Sequence, residues 1–172
     1  MKSIHPSVLK LLRFGVPSLL TLGWLAFIFS NSLQTGVESG EQSHQVFQIV
    51  NQVTQSIGIE KSITEPFIRK AAHFTEFAIL AVLLCLDLFA FKIVSIHKKL
   101  YFSIPILSLS IPVCIYCAMI DETLQHFSAG RAPQVKDVLI DTLGAVFATG
   151  LLIAIFVIIR LILRRIQGQK TT

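Results

Sequence analysis

Charge is scarce in this sequence. Only 15% of its 172 residues are Asp, Glu, Lys or Arg, against roughly 25% in ordinary globular domains. Residues 100–120 contain none, and neither do residues 142–159. With 53% hydrophobic residues and a mean hydropathy of +0.70, a soluble domain is excluded. Cysteine is scarce too. Cys85, Cys114 and Cys117 all fall inside apolar segments, where they read as small buried hydrophobes rather than a disulfide framework. Cys114-x-x-Cys117 lacks a second ligand pair, so it makes a weak zinc site. No motif that reads RNA or DNA is present, and few aromatics interleave with the basic residues. The net charge of +5 therefore does not point to nucleic acid.

What the chain does have is a series of apolar segments. The first, over residues 14–29, follows Lys2, Lys10 and Arg13, but Phe29-Ser30-Asn31-Ser32 is a poor signal-peptide cleavage site. It reads as an uncleaved transmembrane helix, with Pro17 tolerated near its start. Thr64-Glu65-Pro66 is a helix-start signal, and a second span runs from it to about residue 91. A third spans about 100–120, where Pro105 and Pro112 share one face and predict a bend. A fourth spans about 138–159. Each uncharged stretch is near the ~20 residues that cross a bilayer. Between the first two, Val46, Val50, Val53 and Ile57 recur at i, i+4, i+7 and i+11. That spacing predicts an amphipathic helix of about three turns, ended by Gly58. The expected fold is all-α: one membrane domain over residues 1–172, with spans of about 14–31, 70–91, 100–120 and 138–159 and a short amphipathic outer helix.

Four spans put the N-terminus, the 92–99 loop and the C-terminus on one side. That side holds ten of the fifteen Lys and Arg residues and is therefore expected to be cytoplasmic. Nine of the ten acids, all but Asp87, then fall in the outer half. Asp87 is expected to reach the interface or to pair with a base, and His44, His97 and His126 to be surface residues.

The acids gather in two clusters. Arg69, His73 and Glu76 are spaced i, i+4, i+7 and share a helix face. The second cluster runs from Asp121 to Gly144: Asp121 with Gln125 and Glu122 with His126 are i, i+4 pairs, as are Asp137 and Asp141. Gly144 and Ala148 continue the last stripe and let a neighbouring helix approach closely. Acids at the entrance to a membrane are costly unless they face protein or water, so they point to function. Two chemistries suit them. Glu76, Glu122, Asp137 and Asp141 are oxygen ligands for a hard divalent ion such as magnesium or calcium. Arg69, Lys70 and Arg131, with Asp121 and Gln125 beside them, are binding residues for a phosphate, and His73 is a proton donor or acceptor. His73, Glu76, Glu122 and Asp141 are the catalytic candidates. Structural roles compete: Asp137 at a helix N-terminus is favoured by capping and the helix dipole, and Arg131 paired with a carboxylate would lock the hairpin.

Arg69-Lys70-x-x-His73-Phe74-x-Glu76-Phe77, Asp121-Glu122-x-x-Gln125, Gly130-Arg131, Asp137 and Gly144 together resemble the VanZ-like family of bacterial membrane proteins. Ser30-x-Ser32 and Gly36-x-x-Ser39 extend the likeness, which covers a core of residues 27–150. The family pattern often carries Asn at the position of Asp141 and Gly at that of Ala148, so this chain adds a charge. The family is named for a protein associated with low-level resistance to teicoplanin, a glycopeptide that acts at the cell envelope. The resemblance thus implies an envelope protein but no reaction class. Three functions follow: a binder of an anionic lipid-linked phosphate, cell-wall precursor or glycan; a membrane enzyme using metal-assisted or acid–base chemistry on a phosphate or ester; or a proton-coupled carrier. No acid lies near the middle of a span and no inverted repeat is evident, which disfavours the carrier.

Topology is directly testable. Reporter fusions at Gly58 and Gln134 are expected to behave as outside and those at Ser95 as inside. An outside signal at Ser95 would overturn the orientation.

Overall fold

The structure is a computed structural model, and it describes residues 6–58, 63–95 and 98–169. Lys61 and His97 lie outside the described residues. All regular structure among the described residues is helical: α1 (Pro6–Ser32), α2 (Gly36–Ser56), α3 (Glu65–Ala90), α4 (Leu100–Ser108), α5 (Ser110–His126) and α6 (Val135–Gln169). Four stretches are long and apolar enough to cross a membrane: Arg13–Ser32, Glu65–Ala90, Leu100–His126 and Val135–Gln167.

The third of these is two helices in succession. Pro112 has no N–H to give the Ser108 carbonyl, so the ladder fails there. Leu109 instead donates to Ile106 O at 3.1 Å, and α5 starts at Ser110. The helix then runs to His126, beyond residue 120, which leaves only residues 127–134 to connect α5 and α6. Asp121, Glu122 and Gln125 are consequently buried helix residues and not part of a loop. α6 likewise continues through Arg160, Arg164 and Arg165. At ~1.5 Å per residue it is longer than the ~30 Å hydrocarbon layer.

α2 is also longer than the valine spacing predicts. It begins at Gly36 because Thr35 and Glu38 form a reciprocal capping box. The Thr35 backbone N–H and hydroxyl both bond the Glu38 carboxylate, at 2.9 Å each, and hold it below the usual carboxylate range. The helix ends at Ser56, with Gly58 in the left-handed region at φ 77°. No residue of α2 is buried.

The core lies between α1, α3, α5 and α6, around Ile28, Phe77, Leu80, Cys114, Ala118 and Ala145. All three cysteines are free and buried, as the apolar setting predicts. Large apolar side chains such as Leu19, Tyr116 and Phe147 face outward, as in a bundle solvated by lipid. At the end holding α4, Asp87 pairs with hydroxyls, and with no base among the described residues: Thr21 Oγ1 donates to it at 2.7 Å and Ser18 Oγ at 3.1 Å.

Two glycine contacts set the opposite end. Gly36 abuts Gly130, where an added Cβ would stand 2.5 Å from the carbonyl oxygen, and Gly36 N–H donates to Ala129 O at 2.9 Å. This joins the start of α2 to the α5–α6 connection. Gly144 of α6 abuts the backbone of α3, where a Cβ would meet Phe74 O at 2.1 Å. Gly144→Ala is therefore expected to cost about 1–3 kcal/mol through forced separation of the helices. Gly150→Ala, with nothing within 4 Å, should be neutral or slightly stabilising. Thermal melts in micelles compare them, and equal melting points would show that the α3–α6 contact yields freely.

Candidate functional site

The end of the bundle where α1 and α5 finish and α3 and α6 begin collects the polar residues. Asp121 of α5 is fully buried. Its carboxylate accepts from Ser32 Oγ at the end of α1 and from Gln125 Nε2, one turn along α5, at 2.9 Å. Glu76 accepts from Asn31 Nδ2 at 3.1 Å, while Trp24 Nε1 donates to the Glu76 backbone carbonyl at 2.9 Å. Glu76, the inner member of the predicted i, i+4, i+7 face of α3, thus lies against α1.

Arg131 grips neither a carboxylate nor the tip of a hairpin. Its Nη1 donates to the carbonyls of Asn31 and Ser32 at 2.9 and 3.2 Å, and its Nη2 to Ser39 Oγ at 3.1 Å. It therefore closes the C-terminus of α1, where unpaired carbonyls and the helix dipole favour a cation, and ties that end to α2. Ser128 Oγ adds a bond to Ser32 O at 2.9 Å. Burial, together with the neighbouring Arg69 guanidinium, holds Arg131 below the usual arginine value, against the pull of nearby carboxylates. Neither arginine forms an ion pair among the described residues.

Glu122 turns the other way. Its Oε2 accepts from the Gln134 backbone N–H at 2.7 Å, just before α6, which is a capping role. Asp137 sits in the first turn of α6 as expected. With Glu65, Arg69, Lys70, His73 and Gln134 it lines a cavity of ≈ 390 Å³. His44 is exposed and lies 3.7 Å from Glu65, and His126 is exposed. The four acids Glu76, Glu122, Asp137 and Asp141 are not brought to one point. Among the described residues, the group whose ligand atoms all lie within 4.8 Å of one another is His73, Asp121 and Asp141.

A polar cavity of ≈ 300 Å³ opens beside this group, between α1, α2 and α3. Asn31, Ser39, Arg69, His73, Glu76 and Arg131 are among its walls. An apolar groove of ≈ 410 Å³ adjoins it, lined by Trp24, Val50, Phe67, Ala71 and Ile79. Val46, Ile68, Ala72 and Glu76 line both. Asn31, Ser32 and Ser39 carry site roles that residue chemistry alone did not assign. Their signal was the serine-and-glycine stretch after α1. Lys70 and Asp137 stand apart from the polar cavity.

Arg131→Lys should lower the melting temperature by several degrees, because one ammonium cannot reproduce a planar fork bonded to three acceptors on two segments. An unchanged melt would mean that α1 holds its place without this clamp.

A family model described as VanZ/LLP1 matches residues 18–160. No curated protein and no solved structure matches the chain.

Proposed function

From the premise that the chain belongs to the VanZ/LLP1 family, we propose that it is a cell-envelope membrane protein that binds an anionic, lipid-linked group at the outer face. The observation that carries this reading is the junction of the polar cavity with the apolar groove along Val46, Ile68, Ala72 and Glu76. An amphiphile needs such a pair of compartments: a cationic one for the head and a dry one, open to the bilayer, for the chain. Arg69 and Arg131 line the head compartment without an acid partner among the described residues, and two guanidiniums are well suited to a phosphate. The outward orientation rests on the excess of Lys and Arg at the opposite end. A link to teicoplanin resistance would follow if the bound group is a cell-wall precursor.

A second reading, a membrane enzyme acting on a phosphate or ester, is favoured by one observation. His73 lines the cavity and lies 3.5 Å from the buried Asp141, so an imidazole and a carboxylate stand side by side where acid–base work needs them.

Arg69 is exposed and has no ion-pair partner among the described residues, so Arg69→Gln should fold normally. It is expected to weaken binding of a polyprenyl phosphate about tenfold to hundredfold, the loss of one charge-assisted contact. Native mass spectrometry or thermal shift in micelles measures this, with the uncharged polyprenol as comparison. Equal binding of alcohol and phosphate would refute the headgroup site. Turnover of the phosphate or of an ester would favour the second reading.

A further inference from the structure

We infer that His73, Asp121 and Asp141 form a binding site for a single zinc-type divalent ion. The reason is the setting of one buried carboxylate. Asp141 is fully buried, and among the described residues neither of its oxygens accepts a hydrogen bond. A buried, unpaired carboxylate is among the most costly groups a protein can hold. Glu76 and Asp121 at the same end are bonded to amides and a hydroxyl, whereas Asp141 faces His73 and the carboxylate of Asp121 with no such donor among the described residues.

The separation between them fits an ion better than a proton. Asp141 Oδ1 is 3.5 Å from His73 Nδ1, and that nitrogen also has no hydrogen-bond partner among the described residues. An N–H···O bond spans about 2.7–3.2 Å. Ligands held about 2.0–2.2 Å from a tetrahedral zinc ion stand roughly 3.4 Å from one another. Asp121 completes the set, with all three ligand atoms within 4.8 Å of one another. Its carboxylate is aimed by Ser32 and Gln125, each of which leaves a lone pair on the oxygen it bonds. Outer partners of this kind hold metal ligands in place.

The donor set also selects the ion. One imidazole and two carboxylates suit zinc and its first-row neighbours, whereas calcium and magnesium prefer all-oxygen surroundings. A neutral His73 with two aspartates carries the −2 charge that a divalent ion cancels. Three protein ligands leave a fourth position, and His73 places the ion at the edge of the polar cavity.

The test uses the full chain in micelles, stripped with a chelator, desalted, and titrated separately with zinc, magnesium and calcium chlorides. About one zinc per chain should be retained, with a rise of several degrees in melting temperature and little response to the other two ions. Cobalt(II) should give the strong visible absorption of a tetrahedral site. Asp141→Asn and His73→Gln should weaken zinc binding at least a hundredfold, while Asp137→Asn, outside the triad, should not. Asp141→Asn removes a buried charge without changing shape, so its metal-free form should melt no lower than the metal-free wild type. If that variant fails to fold, zinc count and cobalt spectrum of the wild type still decide. No retained zinc, an octahedral cobalt spectrum, or equal zinc affinity in Asp141→Asn would overturn the site and leave a protonated His73 as the partner of Asp141. None of these outcomes depends on whether a polyprenyl phosphate binds.

Discussion

The polar end of this protein depends on the close approach of α3 and α6 at Gly144. Lipid tails are as apolar as leucine, so helices in a bilayer are held by packing and by what close backbone contact permits. Gly144 lets the Phe74 backbone settle against α6 with no room for a Cβ. His73 precedes Phe74 in the chain, and Asp141 lies three residues, about one turn, before Gly144. The same contact that binds the helices therefore fixes the imidazole beside the carboxylate. Ala145 and Ala148 continue the small-residue seam, and Ser110 and Thr149 join their hydroxyls across it from α5 at 2.8 Å.

Most acids in the bundle are accommodated by neutral donors. Asp87 uses Ser18 and Thr21, Asp121 uses Ser32 and Gln125, Glu76 uses Asn31, and Glu122 uses the N–H of Gln134. A hydroxyl or amide gives a carboxylate a charge-assisted bond without the cost of desolvating a second ion. It also leaves the arginines for other work. Arg131 spends its bonds on carbonyls of α1, so its charge persists at the cavity wall. Sequence-based pairing of Arg131 with an acid overlooks that a helix C-terminus is itself an electronegative partner.

The spans were readable because hydropathy depends on composition alone. The end of α1 and both ends of α3 were readable as well, but α5 runs past Asp121 and α6 past Arg160, since a buried carboxylate or a helix beyond the bilayer needs no break in the ladder. Pro112 did signal the interruption at Leu109, because a missing N–H acts locally. The Asp121–Gln125 pair was visible as an i, i+4 spacing. The joining of His73 with Asp141 and Asp121 was not, because it arises from three helices meeting and no spacing along the chain encodes it. Gly144 carried half of that information as a place for close approach, without naming Phe74 as what approaches. The start of α2 is written in Thr35 and Glu38, upstream of the valine stripe that marks only its apolar face.

The two proposed ligands would be coupled through charge. Asp121, Asp141 and Glu76 stand near His73, against the cations Arg69 and Arg131. With a neutral imidazole and no ion, the acids outnumber the bases by one, and an incoming phosphate meets a net negative site. A divalent ion in the triad reverses the balance to a net positive one while leaving both arginines in the cavity wall. Coupling of this kind is reciprocal: whatever the metal does for the anion's affinity, the anion does for the metal's. A site at the membrane edge can thereby accept a phosphate without a surplus of arginines, each of which would otherwise stand unpaired near lipid.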